Sequence, residues 1–441
     1  MGAGGGTFLV MNKVLPGAYI NFVSQPRAMA SLGARGTVAG LLNLSWGPQG
    51  VIVTVDAGEF QTNTLNIFGF SFTSPELLYI RELFLGARTL KYYRPLGGTT
   101  ARATHGSLTI TALYNGSRGN DIRLTIENDI DDDTYYFATT LIDVEGTFTA
   151  VDTQRVRNIG ELTANSFVRF SGSGTLTETA GITLTGGTDP VVTGNDHSMF
   201  LGLIEKEVFT TLYFSGTDRI TKGLYAAFTK RLREAEGYKI TCVLHDYSRA
   251  DHEGIISVKN NVLGESKSAL TYWVAGRQAG CEINRSLTNR IYNGNLTVAA
   301  SYSTRELETA VTSGEFILYS TGSEIRVVKD INSFTSFRPT KNRDFSSNQV
   351  IRVLDEIGNS TARIFNTYYL GQTQNNVLGR DIFKAELIKY NDQLQAIEAI
   401  QNFEADDITV TQGREKGDVV TEQYVEPVSA MEKLFMTVRV V

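Results

Sequence analysis

The sequence predicts an α+β protein with an α/β core domain, an inserted β-sandwich domain, and extended β-strand arms at both ends. Three observations predict this class. Helical and strand periodicities alternate over most of the 441 residues, a segment rich in Thr, Gly and Asp interrupts them, and apolar strand patterns occupy both termini. The predicted divisions are an N-terminal arm at 1–24, core segments at 25–98 and 189–417, the β domain at 99–188, and C-terminal strands with an arm at 418–441.

The first core segment combines strands with one helix. Runs of β-forming residues predict strands at 37–44 and 51–55. A helix is predicted between residues 75 and 87, because Ser74 suits a helix cap, Pro75 suits the first helical position, and Gly86 lies near the end. These elements are typical of one half of an α/β layer structure.

The inserted segment reads as an all-β domain. Turn-forming residues recur about every ten positions and no helical period is present, which is typical of a small β-sandwich. The acidic run at 131–133 predicts a solvated hairpin tip within it.

Helical periodicity returns after Asp196 and predicts a second core segment. One helix ends at Gly237 before a strand at 239–245, and its predicted apolar stripe contains Leu224, Phe228, Arg231 and Leu232. Further elements are a helix around 268–277, a helix opened by the capping box Ser303 to Glu306, and strands at 315–320 and 324–328. These elements extend the predicted α/β core.

Two long amphipathic helices are predicted at 348–370 and 382–403. Their inward-facing residues are predicted as Val350, Leu354, Ile357, Ile364 and Tyr368 in the first helix, and Phe383, Leu387, Tyr390, Leu394 and Ile397 in the second. Strands follow at 419–425 and 434–441. We expect the helices to pack on the sheet or on each other.

Composition excludes several classes of protein. The 47 acidic and 41 basic residues are mixed along the chain, so no basic face is expected to bind nucleic acid. No stretch approaches the roughly 18 consecutive apolar residues of a spanning helix, and the first residues lack a signal-peptide pattern, so we expect no membrane insertion. Cys242 and Cys281 are interpreted as buried thiols of a protein made in a reducing cytosol.

Candidate catalytic and metal-binding groups are weak. Cys242, His245, Asp246 and His252 have spacings compatible with zinc, but strand alternation turns Cys242 toward the core and no second cysteine pair lies nearby. No nucleophile elbow, metalloprotease or phosphate-loop motif occurs in the sequence. The sequence therefore predicts a protein that is not an enzyme, with no catalytic residue, metal or cofactor.

Several charged and histidine residues keep two interpretations. His105 and His197 lie beside the predicted domain joints, where they could act as pH sensors, although a core or solvated histidine is the commoner case. The charges at 341–344 and 352–356 are compatible with ion pairs at an interface between subunits. They are equally compatible with a solvated helix face that contributes little to stability.

The two termini carry the functional prediction. Chain ends are usually frayed and polar, whereas here both ends are apolar β-segments that must pair with a sheet, either their own or a neighbour's by strand addition. Residues 7–22 would reach about 50 Å when extended. The predicted arm residues between subunits are Phe8, Val10, Tyr19, Ile20 and Phe22 at the N terminus, and Leu434, Met436, Val438 and Val440 at the C terminus.

Several motifs resemble the sheath proteins of contractile tails in phages, phage-like elements and R-type bacteriocins of Gram-positive bacteria. The N-terminal motif is Leu15-Pro-Gly-Ala-Tyr-Ile-Asn-Phe22, followed by 39–48 with its Ser45-Trp-Gly-Pro48 ending. Further similar blocks lie at 114–120, 184–189, 330–333, 340–345, 350–355, 399–403 and 431–438, in order along the chain. Their joint occurrence is specific to this family.

The resemblance implies a structural subunit that polymerises as stacked hexameric rings around an inner tail tube protein. It implies terminal arms that link subunits by strand exchange, contacts with baseplate and tail terminator proteins, and contraction that drives the tube through a cell envelope. It also implies assembly in the bacterial cytoplasm into a virion tail or bacteriocin particle. Two alternatives remain at this stage, a non-contractile lattice or capsid-like protein and a cytosolic α/β enzyme with an accessory β domain.

Overall fold

The computed structural model describes residues 35–440, together with the backbone of Gly5–Gly6 and Ala18–Tyr19, which pair in parallel. The chain divides into two compact units. The larger comprises residues 34–359 and 427–441, and the smaller comprises 360–426 with 1–33. Each unit is described by itself.

The larger unit begins with three strands and three helices. They are β1 (Thr37–Leu41), β2 (Ile52–Asp56), α1 (Ala57–Thr62), α2 (Thr64–Phe68), α3 (Leu78–Phe84) and β3 (Thr89–Tyr93). The strand predicted at 51–55 is confirmed within one residue at each end, and the strand predicted at 37–44 is confirmed but ends at Leu41. The helix predicted at 75–87 is shorter, because a 3-10 turn at Pro75–Leu77 precedes α3. Helices α1 and α2 were not predicted, since five or six residues are too few to show a helical period.

Seven strands of the inserted segment follow. They are β4 (Arg102–His105), β5 (Leu108–Ala112), β6 (Ile122–Asn128), β7 (Tyr136–Val144), β8 (Thr147–Val156), β9 (Val168–Ser171) and β10 (Thr179–Thr183). One sheet has the order β8-β7-β6-β10 and the other β9-β5-β4. Their inner faces share one apolar core, and the predicted acidic tip at 131–133 lies between β6 and β7.

The second part of the larger unit returns to alternating helices and strands. These are α4 (Gly194–Ile204), β11 (Thr211–Phe214), α5 (Arg219–Glu234), β12 (Thr241–His245), β13 (Ile255–Val258), β14 (Val262–Leu263), α6 (Leu270–Gly280), β15 (Thr297–Val298), α7 (Thr304–Thr312), β16 (Glu315–Phe316), β17 (Leu318–Ser320), β18 (Ile325–Val327) and α8 (Asn348–Ile364). The predicted capping box from Ser303 to Glu306 is confirmed at α7. In α5, Phe228 and Leu232 are buried as predicted. Leu224 is 37% exposed and the Arg231 side chain is 45% exposed, so the stripe prediction is wrong for these two residues.

A seven-stranded sheet forms the centre of the larger unit, in the order β16-β13-β12-β11-β1-β3-β2. All neighbours are parallel except β2 with β3. Alternate residues face opposite layers: Tyr213 packs in the cluster that contains Trp273 of α6, whereas Leu212 packs in the cluster that contains Tyr225 of α5. The sheet is therefore the middle layer between helices on its two faces. The predicted fold class is confirmed.

Helices α3 and α6 approach each other closely because glycines line the contact. A Cβ atom on Gly276 would lie 2.0 Å from the Leu83 carbonyl oxygen. No side chain could be accommodated there without moving the backbone. The helices thereby bury Trp273 completely beneath the sheet.

The smaller unit contains the end of α8, a π turn at Phe365–Tyr369, α9 (Val377–Ala396), β19 (Ile400–Gln401), β20 (Ile408–Gln412), β21 (Val419–Gln423) and part of β22 (Glu426–Pro427). Phe383, Leu387, Tyr390 and Leu394 of α9 are buried as predicted. The prediction that Tyr368 faces inward is wrong. It is 40% exposed and Tyr369 is buried instead, because the π turn places one additional residue in the helical repeat.

Candidate functional site

The C-terminal segment 434–440 exposes its apolar side chains. The strand predicted at 434–441 is not formed within the subunit, because residues 434–440 have no strand pairing among the described residues. Leu434, Met436, Val438 and Val440 are between 73% and 95% exposed. Phe435, on the opposite face of the predicted strand, is 89% exposed. Burying a side chain of this type contributes about 1.5–3 kcal/mol, so the segment leaves a substantial apolar surface in water. Such a segment is expected to bind another surface.

The residues just before this segment are attached to the body of the larger unit. The backbone N–H of Ala430 donates to Gln349 Oε1 at 3.0 Å. Glu432 accepts a hydrogen bond from Thr288 Oγ1 at 3.0 Å and pairs with Lys329 Nζ at 3.1 Å. The exposed segment therefore starts from a defined point on the subunit surface.

In the smaller unit, β20 and β21 form a hairpin that has two open edges among the described residues. The strands pair in antiparallel register from Ile408 opposite Gln423 to Gln412 opposite Val419. Ile408 is fully buried on the side that packs against α9, whereas Val420 on the other side is 46% exposed. A two-stranded hairpin is marginally stable alone, so each open edge can accept a further strand.

Hydrogen bonds fix the tip and the base of this hairpin. The Asn375 side-chain amide donates to the carbonyl oxygens of Lys416 and Asp418 at 2.9 and 2.7 Å. At the base, the Asn391 amide donates to Gln423 Oε1 at 3.2 Å. The open edges are therefore preformed.

The central sheet offers poorer acceptor edges. At one end, β16 has only two residues and both are buried. At the other end, β2 is the antiparallel edge strand, and Asp56 at its end accepts a hydrogen bond from Thr89 at 2.6 Å. That sheet already has seven strands, so an additional strand is less needed for its stability than at the hairpin.

The charged residues Arg352, Asp355 and Glu356 of α8 are buried. Arg352 pairs with Asp330 at 2.6 Å, and Arg233 pairs with Asp355 at 2.6 Å, all four side chains being at most 10% exposed. Burial opposes ionisation of Asp330, but Arg352 and hydrogen bonds from Leu287 and Asn348 outweigh it and lower the pKa of this carboxyl. Both interpretations of the charges at 352–356 were therefore wrong.

Cys242, His245 and His252 are buried in the subunit core. His245 contacts Asn261 at 3.1 Å and His252 contacts Glu234 at 3.0 Å, so their rings point to different partners. Burial is the main cause that lowers the pKa of both histidines and raises the pKa of Cys242 to about 12. Among the described residues, no group of three His, Cys, Asp or Glu side chains is arranged to hold a metal ion.

Three further predictions concern the N-terminal arm, membrane insertion and the charges at 341–344. Of the N-terminal arm, Phe8, Val10, Ile20 and Phe22 and the side chain of Tyr19 lie outside the described residues. In the part of the chain that the structure covers, no helix has the length and apolar character needed to cross a membrane. Lys341 pairs with Glu253 at 2.6 Å within the larger unit.

Family models for phage tail sheath proteins match four consecutive segments of the chain. They describe the domain III N-terminal region of tail sheath protein Gp18 at 35–94, the beta-sandwich domain at 97–189, the central domain at 191–333 and the C-terminal domain at 340–441. The chain belongs to the phage tail sheath family. The resemblance drawn from its motifs is confirmed.

Two relatives from Bacillus subtilis (strain 168) align with this sheath protein over nearly its whole length. The phage-like element PBSX protein XkdK is 32% identical over 475 aligned residues, which cover 99% of each chain. YqbK is 33% identical over 471 aligned residues, with the same coverage.

Solved structures share the fold. The sheath tail protein of Desulfitobacterium hafniense is 41% identical with a TM-score of 0.84, and the alignment covers 96% of this chain and 100% of that one. The sheath tail protein Lin1278 of Listeria innocua is 31% identical with a TM-score of 0.78, and the alignment covers 91% of this chain and 94% of that one. The anti-feeding prophage helical sheath in its contracted state is 12% identical with a TM-score of 0.57, covering 97% and 99%, which shows a common fold.

Proposed function

We propose that this sheath protein is the structural subunit of a contractile tail, and that copies of it polymerise around an inner tail tube. Membership of the sheath family supports this assignment, as does the fold shared with a contracted helical sheath. The role is mechanical, not enzymatic. The single observation that carries the assembly mechanism is the exposed apolar segment 434–440, which has no strand partner among the described residues of its own chain.

In this mechanism the segment adds as a strand to an open edge of the β20–β21 hairpin in a neighbouring copy. Seven extended residues span about 23 Å, which is enough to follow a five-residue strand from end to end. Each ladder hydrogen bond contributes about 0.5–1.5 kcal/mol net, and burial of the apolar stripe adds to this. Donated strands can therefore hold neighbouring subunits together.

The two sides of the arm differ in polarity, which selects its orientation. Leu434, Met436, Val438 and Val440 form an entirely apolar side, whereas the other side includes Thr437 and Arg439. The hairpin side that contains Ile408 packs on α9. The apolar side of the arm should continue that buried face, because the opposite orientation would bury Arg439.

The complete assembly in this proposal consists of hexameric rings stacked around the tube, bounded by baseplate and tail terminator proteins. Contacts along the axis that do not close on themselves convert rings into a helix. The N-terminal arm, through Phe8, Val10, Tyr19, Ile20 and Phe22, provides a second donated strand. Contraction exchanges one packing of subunits for another while the arms keep neighbours connected, and it drives the tube through a target envelope. Particles assemble in the bacterial cytoplasm as a virion tail or bacteriocin.

Two substitutions on adjacent residues test strand donation. Val438→Asp places a charge on the apolar side of the arm, and Thr437→Asp places the same charge on the other side. Both positions lie in the exposed segment, so the melting temperature of the isolated subunit should not change. Electron microscopy of the concentrated protein should show striated tubes for the parent chain and Thr437→Asp, and discrete subunits for Val438→Asp.

Two outcomes would contradict the proposal. Normal tubes from Val438→Asp would show that the arm does not link the subunits. Flat lattices from the parent chain would instead indicate a non-contractile structural protein.

A further inference from the structure

A pocket in the smaller unit opens beside the start of β21. Its volume is about 450 Å³, including the part open to solvent. Aromatic walls come from Phe365, Tyr369 and Phe383, with ring centroids 5.6 Å apart for Phe365 and Phe383 and 4.8 Å apart for Tyr369 and Phe383. The remaining lining includes Leu370 at the rim and Val419 in the hairpin.

The pocket is preformed by the local backbone. The π turn buries Tyr369 in the aromatic wall, since a regular helix would have placed Tyr368 there. A Cβ atom on Gly379 would lie 2.1 Å from the Gln374 carbonyl oxygen, so only glycine allows the loop before α9 to lie against the helix. Asn375 accepts a hydrogen bond from Arg380 Nη1 at 3.0 Å and donates to the hairpin tip, which joins loop, helix and hairpin.

Resting on the proposed strand exchange, we infer that this pocket receives an aliphatic or thioether side chain from the C-terminal segment of a second copy. Ile408, Val410 and Gln412 alternate along β20 and therefore share the side of the hairpin that faces α9. Val419 of β21 lies opposite Gln412, so it is on the same side. A strand added to the open edge of β21 presents alternate residues to that side. The apolar stripe of the arm provides them, and Phe435 then lies on the outer side.

The C-terminal segment is the expected occupant because the pocket adjoins the open edge of β21. The pocket begins where the edge of β21 begins, so one added strand covers both surfaces. Leu370 at the rim is 58% exposed. Burial of this rim beneath the arm would give the interface an apolar anchor beside a ladder of main-chain hydrogen bonds, as binding hot spots require.

A peptide of residues 430–441 with an N-terminal fluorophore tests the pocket by fluorescence anisotropy. The receptor is the full chain with Val438→Asp, which keeps its hairpin but cannot donate its own arm. Adding Leu370→Asp should weaken peptide binding at least tenfold, because it places a charge at the pocket rim. The control is Leu378→Asp, since Leu378 is 67% exposed in the same unit but does not line the pocket, and it should leave binding unchanged.

The peptide itself provides a second test. Met436→Asp in the peptide should reduce affinity at least tenfold, whereas Phe435→Asp should have a small effect. Equal binding to the Leu370→Asp and Leu378→Asp receptors would overturn the pocket while leaving strand exchange intact. No binding to any receptor, together with normal tubes from Val438→Asp alone, would overturn strand exchange. Displacement by a peptide of residues 5–24 would identify the N-terminal arm as the occupant and overturn the assignment.

Discussion

Arg352 of α8 and Asp330 form an ion pair inside the larger unit, with 2.6 Å between Nη2 and Oδ2 and side-chain exposures of 2% and 1%. The same carboxylate accepts hydrogen bonds from the Leu287 N–H and from the side-chain amides of Asn348 and Gln278. One buried acid thereby joins α8 to α6 and to the loop that contains Leu287. The pair stabilises the subunit only while every partner is present.

Replacing Asp330 with Asn should therefore destabilise the subunit by about 3–5 kcal/mol, because it leaves the charge of Arg352 buried without a counter-ion. Urea unfolding followed by circular dichroism measures the change. Arg231→Gln is the control, since Arg231 and Glu205 form an exposed pair with exposures of 45% and 34%. This control should change stability little. Equal effects of the two variants would contradict the argument.

This ion pair shows where sequence periodicity stops being informative. The repeat of Phe383, Leu387, Tyr390 and Leu394 predicted the buried side of α9, because hydrophobic spacing is a local property. Arg352 and Asp355 instead find partners 22 and 122 residues away. Nothing local distinguishes them from solvated charges, so only the tertiary structure shows their burial.

The candidate assembly site was predictable only where it depends on the local spacing of apolar residues. Apolar residues at every second position of 434–440 predicted a strand that the structure does not form, and its role as an arm between subunits stays a prediction. The strand predicted at 419–425 corresponds to β21. Its partner β20 was not predicted, because Ile408–Gln412 is a short run with only two apolar residues. An acceptor edge depends on which strands lack neighbours, and that property belongs to sheet topology.

Arg94 joins the core segment to the β domain. It is fully buried and donates to the carbonyl oxygens of Leu44, Gly47 and Asn115 at 2.6–2.7 Å. Burial lowers the pKa of Arg94 to about 10. Arg94→Lys should destabilise the subunit by about 2–3 kcal/mol, because one ammonium cannot satisfy three carbonyls arranged around a planar guanidinium.

Thermal unfolding and limited proteolysis of the β domain measure this effect. Arg102→Lys is the matched control, since Arg102 is exposed on β4. Faster cleavage of Arg94→Lys than of Arg102→Lys is expected. Identical cleavage patterns would show that the junction does not depend on the guanidinium.

Mild acid should weaken the subunit through its buried histidines. His197 contacts the Tyr225 hydroxyl at 3.0 Å, and burial lowers its pKa despite nearby Asp196 and Asp218. The unfolded chain then binds a proton near pH 6.5 that the folded chain does not. Stability is therefore complete above this pH and declines as the pH falls toward the lower folded value.

The melting temperature at pH 5.5 should accordingly lie below that at pH 7.5, and His197→Gln should reduce the difference. Glutamine keeps an acceptor for the Tyr225 hydroxyl but cannot take up a proton. An unchanged difference in His197→Gln would assign the pH dependence to other groups, such as His245 and His252, whose pKa values are also lowered mainly by burial.

Tyr368 and Tyr369 are adjacent in the π turn but differ in burial. Tyr369 is 8% exposed and its ring centroid lies 4.8 Å from that of Phe383, whereas Tyr368 is 40% exposed. Tyr369→Ala should destabilise the subunit by about 3–5 kcal/mol through loss of buried ring contacts, while Tyr368→Ala should have little effect. A regular helix through this segment would give the opposite order. Urea unfolding of the two variants thus measures which tyrosine the helical repeat turns inward, and a larger loss from Tyr368→Ala would exclude the π turn in solution.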